Sequence, residues 1–209
     1  MRIEPRVSLI RADALVASPW KNGGGVTREI AAEPPGASLD AFAWRVSVAD
    51  VAQPGPFSRF PGIDRTLVLL SGAGMTLAAE GGGRTLLSEP LDRYAFDGEL
   101  ALSAELTDGP TRDFNLMTRR SAVTGRVSVM ADGAVLESRA PCVLLFCARG
   151  TPAVAVDGGA WRQLGALDTV RIDLEPDAIA VGASVQCTMQ GDGALLCIEL
   201  FPKAADPAA

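Results

Sequence analysis

The chain contains no histidine. That absence removes Ser-His-Asp and Cys-His catalysis, imidazole general acid–base work and every His-containing metal site. Lysine is nearly as scarce. Lys21 and Lys203 stand against seventeen arginines, and Lys203 lies in an Ala/Pro-rich tail, so Lys21 is the only lysine of the expected folded part. Any enzyme built on this chain would have to use carboxylates, Lys21, the single tyrosine Tyr94 or a thiol. Basic runs are also missing and the net charge is −6, which argues against nucleic acid as a partner. No apolar run approaches the ~20 residues of a membrane span, and Met1-Arg2-Ile3-Glu4-Pro5 has no apolar signal core. The expectation is a cytoplasmic protein with no membrane partner. The four cysteines, Cys142, Cys147, Cys187 and Cys197, have no CxxC spacing and lie in or beside apolar runs, so they read as buried small hydrophobes.

What the chain does have points to an all-β protein with little helix. Its 209 residues include 22 glycines and 14 prolines, and its apolar runs are short with period two. In Ala43–Val48, Trp44, Val46 and Val48 share one face, with Arg45 and Ser47 on the other. Residues 66–70, 100–106, 142–147, 170–174 and 195–200 read as further strands, and Gly81-Gly82-Gly83 and Asp157-Gly158-Gly159 as hairpin turns. Shifting the chain on itself by 76 residues aligns Leu69-Leu70 with Leu145-Phe146, Gly74 with Gly150, Gly82-Gly83 with Gly158-Gly159, and Leu91-Asp92 with Leu167-Asp168. The shared register predicts a duplicated β-unit, with residues 1–120 as the first copy and 121–209 as the second. The first copy holds most of the polar residues of interest; the second is rich in Ala, Val and Leu.

The segment Trp20-Lys21-Asn22-Gly23-Gly24-Gly25 places an aromatic, a cation and an amide before three glycines. Glycine loses the most conformational entropy on folding, so three in a row mark a sharp turn or a close approach of backbone. In a chain that otherwise uses arginine, Lys21 is either wanted for its compact ammonium or is a surface residue before a tight turn.

Three blocks carry a family resemblance. Pro19–Ile30 (PWKNGGGVTREI) with Trp44–Ser47, Gly55–Arg65 (GPFSRFPGIDR) and Asp113–Met117 (DFNLM) resemble the HutD/Ves family. The resemblance spans essentially the whole chain. It implies a bicupin, two cupin-type β-barrels or jelly rolls in one chain, and a role in histidine utilisation, sensing or buffering an intermediate such as N-formylglutamate. When a cupin metal-binding pattern is laid on the chain from Gly72, Ser58 and Phe60 take two histidine positions and Arg65 the glutamate position. Ala101 takes the third histidine position. The alignment therefore implies no metal and no cofactor, with a guanidinium standing where other cupins hold a cation.

The candidate site follows from an open first barrel. Lys21 and Asn22 would stand at its rim and Arg45 and Ser47 on an inward strand face. Ser58 and Arg65 would lie at the ancestral metal position, Asn115 and Met117 on the closing strand, and Trp20, Phe57 and Phe60 as apolar walls. Cations with amide and hydroxyl donors in an aromatic-lined hollow suit a small acidic metabolite, in particular a dicarboxylate. Each residue also has a structural reading. Arg45 could pair with Glu29, the aromatics and Met117 could be core, Asn22 could cap the glycine turn, and Asp113, Arg119 and Arg120 would frame a turn between the barrels. Two other classes of function stay open. One is a metal-free lyase or isomerase with Lys21 as base or Schiff-base former and Glu29 as proton shuttle. The other is a non-catalytic interaction scaffold or homodimer plate.

Overall fold

The structure, a computed structural model, describes residues 4–204. Its first strands are β1 (Arg6–Ile10), β2 (Ala17–Pro19), β3 (Gly25–Glu33), β4 (Trp44–Val51), β5 (Gly55–Pro56) and β6 (Ile63–Ser71). Then come β7 (Met75–Ala79), β8 (Arg84–Leu87), β9 (Arg93–Asp97), β10 (Leu102–Leu106) and β11 (Thr111–Arg119). The later strands are β12 (Val123–Met130), β13 (Val135–Ser138), β14 (Cys142–Gly150), β15 (Ala153–Val156) and β16 (Arg162–Gln163). The last are β17 (Thr169–Asp173), β18 (Val185–Gln190) and β19 (Gly193–Pro202), with a short helix α1 (Pro176–Ala180) after β17. The expected all-β class is observed, and each expected strand forms within a few residues of its predicted limits.

The chain divides into two compact units. Residues 15–123 form an N-terminal unit of two sheets, ordered β2-β3-β4-β11-β6-β9 and β5-β10-β7-β8. The C-terminal unit has sheets β1-β17-β14-β19-β12 and β13-β18-β15-β16. Paired antiparallel sheets of this kind are the jelly-roll solution to exposed strand edges. Residues 4–14, expected in the first barrel, belong instead to the second unit, with residues 124–204. There β1 pairs with β17, Leu9 opposite Val170. Asp168 fastens the far end by accepting from Arg11 Nη1 at 2.7 Å and from the Ala12 amide at 2.9 Å. Residues 1–3 and 205–209 of the two expected domains lie outside the described residues.

The internal repeat is visible in backbone conformation. Leu91 and Leu167, 76 residues apart, both adopt positive φ (78° and 70°), and so do the pairs Gly74/Gly150 and Gly82/Gly158. Side chains rarely accept that conformation, so its recurrence at two leucines marks the same turn built twice. Within the strands the correspondence shifts by two. The Leu91 amide donates to the Leu69 carbonyl, and the Leu167 amide to that of Cys147, which makes Leu69 equivalent to Cys147 rather than to Leu145.

The two interiors are filled differently. In the C-terminal unit Val143, Leu145 and Cys147 of β14 pack with Val154, Leu164, Val170, Cys187, Leu195 and Cys197 in one buried hydrocarbon core. In the N-terminal unit Leu67, Leu69, Met75, Leu77, Leu87 and Leu102 form a comparable core, but it occupies only part of the interior. The rest is a cavity.

Candidate functional site

The cavity of the N-terminal unit measures about 660 Å³, inside the ~300–1,000 Å³ range of small-molecule sites. Strand alternation chooses its walls. On β4, Arg45, Ser47, Ala49 and Val51 face it; on β11, Asp113, Asn115 and Met117; on β6, Arg65. Trp44, Val46 and Val48 are also buried, on the other face of β4.

One lip is the glycine turn. The Gly23 amide donates to the Trp20 carbonyl at 3.0 Å, and Gly23 itself needs φ of +70°. Asn22 Oδ1 accepts from the Gly24 amide at 3.0 Å, so Asn22 caps the turn as well as lining the rim. The Trp20 ring lies directly over Gly25, where a Cβ would stand 3.0 Å from two ring carbons and 2.5 Å from the Asp50 carbonyl. Only glycine admits that approach. The indole is then locked by its Nε1–H donating to Thr27 Oγ1 at 2.7 Å. Of the three glycines, Gly25 seats the aromatic wall against the sheet, while Gly23 supplies the positive φ of the turn.

Arg65 holds the centre. It is 7% exposed, and its guanidinium carbon lies 5.3 Å from the Phe57 ring centroid, 5.5 Å from Phe60 and 5.0 Å from Phe96. Nη1 donates to the Ser58 carbonyl and Nη2 to Asn115 Oδ1, each at 3.2 Å. Its Nε–H meets no protein acceptor, and among the described residues no carboxylate comes within ion-pair distance. Burial, with a smaller contribution from Arg45, lowers its pKa to about 10, which leaves it charged at neutral pH.

Arg45 differs. Its Nε donates to Glu29 Oε2 at 2.7 Å, and its Nη1 to Ser47 Oγ at 3.3 Å. Glu29 thus neutralises Arg45 from outside the cavity wall, the one residue of the expected set that does not line the hollow. Lys21 is solvent-exposed at the rim. A lysine base or Schiff-base former requires desolvation, and a proton shuttle requires a free carboxylate; neither condition is met at Lys21 and Glu29.

Asp113 was expected in a turn. It lies instead in the middle of β11, fully buried, on the cavity wall. Neither carboxyl oxygen makes a well-formed hydrogen bond to the protein; among the described residues the one donor close to it is the Thr111 hydroxyl of the same strand, itself without another partner. Burial raises its pKa to about 7, with Asp50 adding and the neighbouring Thr111 hydroxyl opposing. The alternation Asp113-Phe114-Asn115-Leu116-Met117 carried the signal, because it puts Asp113 on the same face as Asn115 and Met117. Arg119 and Arg120 do sit at the strand end, Arg119 donating to the Phe42 and Asp40 carbonyls and Arg120 paired with Asp64 and Glu99.

The second copy supplies an internal control. Asp113 pairs across to Leu69, Asn115 to Leu67 and Met117 to Arg65, whereas Leu195 pairs to Cys147, Cys197 to Leu145 and Glu199 to Val143. The positions equivalent to Arg65, Asp113 and Asn115 are therefore Val143, Leu195 and Cys197, all in the hydrocarbon core. The fold does not need polar groups at these three positions; only the hollow barrel has them.

Cupins commonly hold a metal through imidazoles and a carboxylate, and these residues do not fit one. A guanidinium stands at the position aligned with the carboxylate, and Asp113 is the only acidic side chain on the cavity wall. Ala101, aligned with the third histidine position, directly precedes β10 and is not among the residues lining the cavity, whereas Ala104 of β10 is.

Comparison with known proteins agrees with this architecture. The family model described as HutD matches residues 12–197. A 21.2 kDa protein of the hutC 3′ region of Pseudomonas putida is 39% identical over 169 residues, covering 80% of this chain and 87% of that protein. Protein Ves of Cronobacter sakazakii is 40% identical over 152 residues, covering 70% and 81%. Among solved structures, HutD from Pseudomonas fluorescens SBW25, in a formate condition, superposes with a TM-score of 0.80 at 34% identity, covering 95% of this chain and all of that one. A cupin barrel protein of Leptotrichia buccalis, 13% identical over 94% of this chain and 96% of its own, has a TM-score of 0.57 and shares the fold alone. Among the described residues no helix is long and apolar enough to cross a membrane. With its two unequal barrels and its match along nearly the whole chain, this protein belongs to the HutD family of cupin-like proteins.

Proposed function

We propose that the N-terminal barrel is a metal-independent binding site for a small acidic metabolite, a dicarboxylate of the N-formylglutamate type, and that this binding serves histidine utilisation. One observation carries the reading: Arg65 is buried, charged and without a carboxylate partner, in an aromatic cage on the cavity wall. A desolvated cation is costly unless something neutralises it, and a ligand carboxylate entering the hollow would do so. Ser47 and Asn115 stand beside it to complete the carboxylate's hydrogen bonds. Each hydrogen bond to a charged group contributes roughly 1.5–3 kcal/mol. Two such grips with modest apolar burial support micromolar affinity, about −8 kcal/mol, after association costs. The link to histidine utilisation comes from the hutC-region relative and the family itself.

Thermal-shift and calorimetric titration with formate, succinate, glutarate and N-formylglutamate, with and without chelator, tests the proposal. The expected result is chelator-insensitive stabilisation by the acids that is lost in Arg65→Met. No response to any of these acids at millimolar concentration overturns it.

A further inference from the structure

The cavity holds a second unsatisfied group that a single carboxylate at Arg65 leaves unused. Asp113 is 0% exposed, lines the hollow and receives no well-formed hydrogen bond on either oxygen, the Thr111 hydroxyl being the one donor close to it among the described residues. It stands two residues from Asn115 on the same face of β11, which places its Cα about 7 Å along the strand from that of the residue that accepts from Arg65. No ion pair joins Asp113 to Arg65. The pocket therefore has two poles, a guanidinium and a carboxyl, separated along one wall. In the second copy both positions are hydrocarbon, Val143 and Leu195, so neither pole is required by the barrel.

We propose that Asp113 is the second anchor of this site, binding the distal carboxylate of a dicarboxylate ligand by sharing one proton with it, so that ligand capture takes up a proton. This rests on the carboxylate reading of Arg65 and adds to it the second end of the ligand.

The surroundings favour a protonated Asp113. On β4 it faces Ala49 and on β6 Leu69, both apolar. The charged groups near it are few. Asp50 of β4 is held by Arg28 and Arg112, and Arg45 of β4 and Arg65 of β6 line the polar end of the same cavity, with Lys21 at its rim. On the wall, β3 presents Thr27 and β10 Ala104, neither of them titratable. Burial, opposed by the Thr111 hydroxyl and reinforced by Asp50, moves the carboxyl to about 7, so at neutral pH a large share of the molecules carry the proton that a second carboxylate needs. Two carboxyl groups with one proton between them form a strong charge-assisted hydrogen bond, whereas two carboxylates repel.

Isothermal titration of the whole protein with glutarate, from about pH 6 to about pH 9 in buffers of different ionisation heat, tests this directly. The expected Kd is flat below pH 7 and rises about tenfold per pH unit above it, with close to one proton taken up at the alkaline end. Formate, which reaches only Arg65, should show neither effect. Asp113→Asn donates from an amide without titrating, so it should retain glutarate binding and lose both the slope and the proton uptake. Asp113→Leu should reduce glutarate affinity to the level of formate. A pH-independent wild-type Kd for glutarate that still disappears in Arg65→Met overturns the role of Asp113 while leaving the carboxylate site standing. Failure of both formate and glutarate to bind the wild type overturns both readings. An unchanged slope in Asp113→Asn also excludes Asp113. The wild-type measurement stands on its own should a variant fail to fold.

Discussion

Glu29 Oε2 accepts from Arg45 Nε at 2.7 Å, and that contact sorts the two arginines of the cavity into one neutralised and one unpaired. Arg65, in the same hollow, has three aromatic rings, a carbonyl and an amide oxygen around it but no carboxylate. Aromatic faces and neutral dipoles make a buried cation tolerable without cancelling its charge. The buried positive charge of the site thus comes from Arg65, with Lys21 adding an exposed cation at the rim.

Replacing Arg65 by Met should consequently separate binding from stability. Methionine fills the aromatic cage without a charge, so the ligand-free protein should gain roughly 1–2 kcal/mol from losing a desolvated cation. Denaturant unfolding of wild type and variant measures this. A destabilisation beyond about 1 kcal/mol would mean that Arg65 serves the fold through its cage rather than a ligand.

Asp113 predicts a pH-dependent stability of known sign. Its carboxyl titrates near 3.8 in an unfolded chain and at about 7 in the folded barrel. Between these values the folded state holds a proton that the unfolded state has released. Raising the pH through that window therefore removes stability, about 1.4 kcal/mol per unit and on the order of 4 kcal/mol in full. Asp113→Asn lacks this term. Its advantage over wild type should be small near pH 4, grow up to about pH 7 and then level off; a constant difference across that range would contradict the assigned burial effect.

Gly25→Ala should damage the cavity wall from behind. The added methyl would stand 2.5 Å from the Asp50 carbonyl and 3.0 Å from the Trp20 ring, and one of those neighbours is backbone. A cost of about 1–3 kcal/mol is expected, with a changed Trp fluorescence spectrum as the ring moves off the sheet. Gly81→Ala, where the methyl meets nothing within 4 Å, is the matched control.

The thiols should be inert in the native state. Burial pushes Cys147 up to about 11 and Cys187 and Cys197 up to about 12, and all four cysteines are buried in the C-terminal unit. Alkylation at pH 8 should be negligible until denaturant is added. Replacing all four by Ser should leave glutarate binding by any folded fraction unchanged. Each buried hydroxyl without a partner should cost about 1–3 kcal/mol. Rapid native alkylation would show that the second barrel opens.

Much of this architecture is legible in the one-dimensional pattern. Period-two alternation assigned Arg45 and Ser47 to the inward face of β4, and the 76-residue register gave the duplication because a turn such as Leu91-Asp92 carries its own sequence signature. The same local reading failed where partners are remote. Asp113 was expected in a turn with Arg119 and Arg120, although its alternation with Asn115 and Met117 marks a strand face; that β4 and β6 flank it is not local information. The first strand was placed in the wrong barrel for a similar reason: its partner, β17, lies more than 150 residues away.

What composition and pattern determined alone is the class of chemistry: no imidazole, strands rather than helices, two copies of one barrel, and polar residues concentrated in the first. What only tertiary structure decided is the charge state of the site. Whether an arginine is free or paired, and whether a carboxyl is solvated or stranded, depends on groups brought within 3–4 Å by strand pairing across the sheet. Glu29 reaches Arg45 across such a pairing, and among the described residues no cation pairs with Asp113.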